Sequence, residues 1–418
     1  MATKTPTKTP AKTATKTTAK TPAKTATKTT AKTRVPARRA LPHTKLTSAV
    51  QIPTDFTINE VPVQPGVAPP APADIAPALG PLKAFTGTFI GRGFNTIFRP
   101  QNSATPTQLP TPQPDSDNIL ELNLTVESLS FQDPLGAVPN RGEVEGDIFL
   151  NGVPYLQTIS DVTDPKNTTP IHLEPGLWVT VPATTHPAES GPTFARMASI
   201  PHGTTINAQG SAFTVNGGPK IDPVDITPFP IGNPASRIRF PSQTASDSAT
   251  ARIPQDISVA PALTQALLDD PNSLLLSHIA GMNIVSTDVI IIDTQSATVP
   301  GGGTDNIGFL VGDAAAGPNA NAVQMSAIFW VETVQVDVTV GPLKAGETQK
   351  ISPMVPAGAP APTFAVTSAS ALATQRTVTV TYPQIQYTQN VSLNFATLTW
   401  PHVSVATLVP AKPIPVDI

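Results

Sequence analysis

Between residues 85 and 408 the chain reads as nine strand-length runs rich in apolar residues, at 85–98, 119–131, 144–159, 171–181, 195–215, 284–292, 327–340, 377–393 and 397–408. Several alternate with period two. In Leu120-Glu121-Leu122-Asn123-Leu124-Thr125-Val126 one face of a strand is buried and the other wetted. One stretch, 260–282, reads as a helix: Pro261 stands at its start, and Leu263, Leu267, Leu268, Leu275 and Ile279 fall near helical spacing, broken once at Asp270-Pro271. That helix is expected to pack on or cap the sheet. Three polar, proline-rich interruptions, 101–117, 216–258 and 341–370, are too long for hairpin turns and read as lids, insertions or flexible loops. With no alternation of strands and helices, the pattern predicts an all-β fold, a closed antiparallel barrel, with a two-sheet sandwich as the alternative.

Upstream of the runs the pattern changes. The unit KTPAKTATKTTA at 8–19 repeats at 20–31 and sets a lysine at every fourth position from Lys4 to Lys32. Those lysines would repel along one helical face, prolines interrupt them, and almost nothing apolar is available to offset chain entropy. Residues 1–50 are therefore expected to form a disordered basic tail, and 51–80 a semi-rigid Pro/Ala linker leading to one domain over 81–418. The tail holds 12 Lys/Arg and no Asp or Glu, leaving 14 against 29 (net −15) in the rest. It suits either a solubilising tether or weak, salt-sensitive contact with nucleic acid or another polyanion.

Apolar residues make up 39% of the chain and charged ones 13%, with 49 Pro and 26 Gly, which implies a core joined by much loop. The lack of cysteine excludes disulfides, thiolate catalysis, iron–sulfur clusters and a thiolate-ligated haem. No run of 18 apolar residues predicts a membrane span, and the first 30 residues lack the apolar core of a secretory signal, so the expectation is a soluble, cytoplasmic protein.

Candidate chemistry is sparse. No Gly-x-Ser-x-Gly, His-Glu-x-x-His, phosphate-loop or dinucleotide glycine pattern occurs in a fitting context. Gly91-x-Gly93 lies inside a strand run and reads as a bend or a close approach, and Gly301-Gly302-Gly303 reads as a flexible turn. Of six histidines, His43 falls in the tail and His186 in a polar loop, while His172, His202, His278 and His402 lie in or beside strand and helix runs. His172 and Glu174, two apart, share a strand face, either inward and polar or an exposed ion pair. His202, in Ile-Pro-His-Gly, would sit on a turn, over a cavity mouth or in solvent. His402 opens the last run as a core residue or a metal ligand. Glu174 and Glu332 are either carboxyls with raised pKa or ordinary strand residues facing water. Arg92, Arg99, Arg141 and Arg196 would pair an anionic ligand or surface carboxylates.

A resemblance to a known family comes from several segments in order. Gly87-Thr88-Phe89-Ile90-Gly91-Arg92-Gly93-Phe94-Asn95-Thr96-Ile97 resembles the opening strand of the nitrobindin-like, fatty-acid-binding-protein-like barrels. Val153-Pro154-Tyr155-Leu156-Gln157, His172-Leu173-Glu174-Pro175-Gly176 and Ala198-Ser199-Ile200-Pro201-His202-Gly203 are similar to later motifs of that family. His402-Val403-Ser404-Val405-Ala406-Thr407-Leu408 loosely resembles its closing strand. The matches cover about 80–217 and 377–410, and the chain also resembles bacterial proteins described as haem-binding.

The resemblance implies a calycin barrel of about ten strands holding haem b, with His402 as the iron ligand. It further implies that Thr88 and its neighbouring glycines face the ring, and that His172 and His202 belong to the cavity. Members of that family bind nitric oxide at ferric iron and are credited with isomerising peroxynitrite. Two departures stand out: Phe89 replaces a tryptophan, and the region 218–376, read as insertions, would cover the haem or fill its place. Two other readings remain. One is a carrier or isomerase for a lipid or other apolar small molecule, favoured by converging arginines and a blocked His402. The other is a structural or interaction protein acting through the tail, favoured by a filled interior. A neighbouring subunit, in a homo-oligomer, would be able to close the mouth.

Overall fold

The computed structural model describes residues 76–418 apart from Thr105 and Asp115. The basic tail and most of the linker, with His43, lie outside the described residues.

Ten strands close one antiparallel barrel. They are β1 Gly87–Pro100, β2 Asn118–Phe131, β3 Asp147–Asp161, β4 Thr169–Val181, β5 Thr193–Ile200, β6 Thr204–Asn216, β7 Asn283–Asp293, β8 Asn321–Val340, β9 Arg376–Phe395 and β10 Leu398–Pro410. Each pairs with its sequence neighbours, and β10 pairs with β1, Phe94 opposite Val405, so no edge of the main sheet is left open. The expected run 195–215 divides into β5 and β6 because Gly203 adopts φ 110, where a side chain would also strike Ile307. Gly91 answers to the close approach read from sequence: a Cβ there would lie 1.9 Å from the Thr407 carbonyl oxygen of β10.

Alternation decides which residues enter the barrel. On β1, Phe89 joins the interior cluster while Phe94 and Phe98 join a second cluster on the outer face. One end of the interior is plugged by aromatic side chains. Phe85, just after a 3-10 turn at Gly80–Ala84, stacks on Phe131 at 4.6 Å and meets Trp178 edge-on at 5.6 Å. Burying each such ring is worth about 1.5–3 kcal/mol. The plug is tied to the wall, since Asn151 Nδ2 donates to the Pro77 carbonyl at 2.9 Å.

The regions read as interruptions take three different roles. The expected helix is two short ones, α1 Gln265–Asp269 and α2 Asn272–Ile279, separated at Asp270-Pro271 as the sequence suggested. With Ile221 and Ile226 they cover outward Phe94, Leu122, Val403 and Val405, so this segment packs outside the barrel and leaves the interior free. The stretch 341–370 contributes two strands, Thr348–Ile351 and Phe364–Thr367, to a three-stranded sheet completed by Ile414–Asp417, over a third cluster that includes Val338 and Tyr382. The region 218–376 is therefore not insertion throughout, because β7 and β8 within it are barrel staves. A third helix, α3 Gly308–Val311, lies just before β8.

Candidate functional site

The end of the barrel away from the aromatic plug holds a cavity of about 520 Å³. Inward positions supply its wall in a set order along the strands. From the plug outward, β1 contributes Asn95, Ile97 and Arg99, β3 contributes Gln157 and Ile159, and β9 contributes Gln389, Val391 and Leu393. Polar amides thus lie deep and aliphatic side chains shallower. At the rim Arg99 Nη1 is bonded to Glu121 Oε2 at 2.6 Å. Phe309 and Leu310 of α3 border the opening, so a part of the 218–376 region does reach the cavity.

His402, His172 and His202 all line this one cavity. His402 stands on β10, and its Nε2 accepts a hydrogen bond from Asn95 Nδ2 at 2.8 Å. The same amide donates to Ser404 Oγ at 2.7 Å, and its oxygen accepts from Asn123 Nδ2 at 3.3 Å. Burial, with smaller repulsion from His172 and His202, lowers the His402 pKa to about 3, so the imidazole is neutral. His202 is also lowered, by burial first and His172 second, against its bond to the Ile171 carbonyl at 3.0 Å. Its ring centroid is 5.9 Å from that of His172.

The shared face of His172 and Glu174 is inward. His172 Nε2 and Glu174 Oε2 are 3.2 Å apart, and Glu174 is fully buried. Burial alone would raise the Glu174 pKa, but the Arg196 guanidinium, His172 and the Tyr155 hydroxyl outweigh it and bring it to about 2. Arg196 Nη2 donates to Glu174 Oε1 at 2.5 Å, Nε to the Tyr155 oxygen at 2.7 Å and Nη1 to Gln389 Oε1 at 2.6 Å. This chain starts and ends on the cavity wall, at His172 and Gln389. A second cluster lies beneath: Tyr387 OH donates to Glu127 Oε2 at 2.6 Å, and Gln157 Nε2 donates to the Tyr387 oxygen at 3.0 Å. Burial raises the Glu127 pKa against these bonds.

Thr88 is not part of the site. It lies on the opposite parity from Asn95, and its hydroxyl bonds Ser130 Oγ at 3.0 Å. The other sequence candidates separate as well. Arg196 is a buried partner of Glu174, Arg141 pairs with Asp147 on the surface, and Arg92 points outward, so only Arg99 of the four arginines lines the cavity. Glu332 does have a raised pKa, about 8, yet it is buried between β8 and β9 and does not line this cavity. His278 is buried under α2 against Thr407 at 2.9 Å. Asn95, Asn123, Gln157, Tyr387 and Gln389 were not anticipated. The available signal was their place at the inward parity of alternating runs, where polar side chains need partners or a ligand.

No group of three or more His, Cys, Asp or Glu among the described residues is placed to hold a metal ion. No helix among them is long and apolar enough to cross a membrane.

The fold and cavity define a closed ten-stranded antiparallel barrel with a histidine-lined chamber open at one end. No protein-family model matches the chain, and no curated protein matches it. Among solved structures it is similar to the crystal structure of Rv2717c from M. tuberculosis, with a TM-score of 0.31 and 11% identity, over 81% of this chain and all of that one.

Proposed function

We propose that the barrel chamber binds haem, with His402 as the axial ligand of the iron. The observation that carries this reading is a neutral imidazole facing a cavity of about 520 Å³ from the closing strand. A neutral histidine is the form that binds haem iron, and a single axial ligand requires no metal cluster. Aliphatic wall residues such as Ile97, Ile159 and Val391 suit the faces of a porphyrin.

The fit has one obstacle, the Asn95 amide on His402 Nε2. Releasing that bond costs about 0.5–1.5 kcal/mol net, little beside a metal–ligand bond, and Asn95 keeps its Ser404 and Asn123 partners. In this reading Asn95 would stay on Ser404 and Asn123 while His402 Nε2 is left for the iron, Glu174 would fix the His172 ring on the wall, and Phe309 with Leu310 would limit water at the mouth. Bound haem would supply an iron able to take nitric oxide, peroxynitrite or peroxide.

A second reading, a metal-free site for an apolar small molecule, is favoured by the same Asn95–His402 bond. Titration of haemin into the purified chain, followed by quenching of tryptophan fluorescence, separates them. Saturation at one haem per chain supports the first reading, and unsaturable, non-stoichiometric quenching overturns it.

A further inference from the structure

Of the four arginines singled out in the sequence, Arg92 is the one that neither the chamber nor a carboxylate absorbs. Arg99, Arg141 and Arg196 are ion-paired, as are Arg237 and Arg239, and Arg252 is surrounded by carbonyl oxygens. Arg92 has neither an ion pair nor a side-chain hydrogen bond among the described residues. Glu127, next to it across the strand pair, turns into the barrel and is bonded by Tyr387. His278 does feel the Arg92 charge, but burial first and that charge second lower its pKa to about 4, so this neighbour is neutral. The cation is left uncompensated in a body that holds 14 Lys/Arg against 29 Asp/Glu.

Arg92 stands in a groove of about 400 Å³ on the outer wall of the barrel. Strand register lays its floor in two rows, Arg92, Val126 and Ser160 in one and Val409, Ile90, Ser128 and Thr158 in the other. Pro360 and Ala361, from the loop before strand Phe364–Thr367, wall one side. Two chemistries meet there. Ile90 and Val126 are 46% and 39% exposed and continue the apolar surface of Val409, Pro360 and Ala361. The hydroxyls of Ser128, Thr158 and Ser160, like Arg92, form no hydrogen bond among the described residues.

We propose that this groove binds an amphipathic monoanion, an aliphatic carboxylate of medium chain length, outside the barrel and apart from the chamber. The planar fork of a guanidinium matches a carboxylate with two parallel N–H···O bonds, which a neutral head group does not offer. The hydroxyls donate to the remaining oxygen positions, and the aliphatic side chains cover the tail. The floor crosses four staves, three spacings of about 4.8 Å or roughly 14 Å in all, enough for an extended chain of about eight carbons.

Calorimetric titration of octanoate into the full chain, with and without added haemin, tests this beside Arg92→Gln and Ala361→Trp. The second variant fills the groove without touching the charge, both positions are exposed, and circular dichroism reports whether the fold is kept. The expected result is one octanoate per chain, saturating below about 1 mM and unchanged by haemin, with affinity weaker by about tenfold or more in both folded variants and no saturation by octanol. A parent that does not saturate, octanol that binds as tightly as octanoate, or an Arg92→Gln protein that binds like the parent overturns the proposal. Octanoate that haemin displaces and Arg92→Gln does not weaken sits in the chamber, which overturns this site and leaves the reading of the chamber standing.

Discussion

The Nδ2 of Asn95 and the Nε2 of His402 lie 2.8 Å apart, a hydrogen bond joining the first and last staves of the barrel inside its chamber. The amide is the donor, which leaves His402 unprotonated at that nitrogen. Any chemistry assigned to His402 has to pass through this contact.

Asn95→Ala separates the two readings of the chamber. It strands the Asn123 amide and removes the donor to Ser404, so the apo protein is expected to lose about 1–3 kcal/mol in urea unfolding. Haem affinity is expected to hold or rise, because the nitrogen is freed. A ligand that uses the Asn95 amide directly would instead bind more weakly.

Arg196→Met is expected to cost about 3–5 kcal/mol, since it leaves the Glu174 carboxylate buried without its cation. The pH dependence follows from the sign of the shift. Glu174 is depressed from 4.5 to about 2 in the folded state, so its contribution is present above the ordinary carboxylate range and fades as pH falls through 4.5 towards 2. Urea midpoints at neutral and acid pH check this: the parent loses stability across that window, and the variant lacks that loss.

Glu332 behaves in the opposite way. Burial raises it to about 8, with one oxygen bonded by Gln384 at 2.6 Å and the other without a partner. Stability linked to this group is full below pH 4.5 and declines as pH rises towards 8. Glu332→Gln is expected to flatten that decline and to stabilise the protein by a few kcal/mol at pH 8, read from chemical denaturation at several pH values. An unchanged slope would mean that Glu332 is ionised at neutral pH.

Much of the barrel was legible because alternation is a local signal. Each stave buries one parity, and nine apolar runs with one internal turn at Gly203 yield ten strands. The hairpin between β9 and β10 was less visible: Ala396 and Thr397 have φ 45 and 65, a conformation usually marked by Asn-Gly. The small sheet was hidden for a different reason. Its strands are four residues each, too short for periodicity, and the last comes from the far C-terminus.

At the site, His172, His202 and His402 line one cavity, and spacing put His172 and Glu174 on one strand face without deciding whether that face is inward. Thr88 was misplaced by parity, being an odd number of residues from Asn95. The Arg196–Glu174 pair joins side chains 22 residues apart across neighbouring strands, and the Tyr387–Glu127 bond spans 260 residues. Only the closed barrel brings such groups together.

The most direct measurement is the absorption spectrum of the purified chain and of His402→Ala, each after addition of haem at equal concentration. The account predicts a sharp Soret band in the parent and a broad, free-haem spectrum in the variant, with circular dichroism showing both folded. The same spectrum in both proteins, whether bound or free, would contradict His402 as the iron ligand.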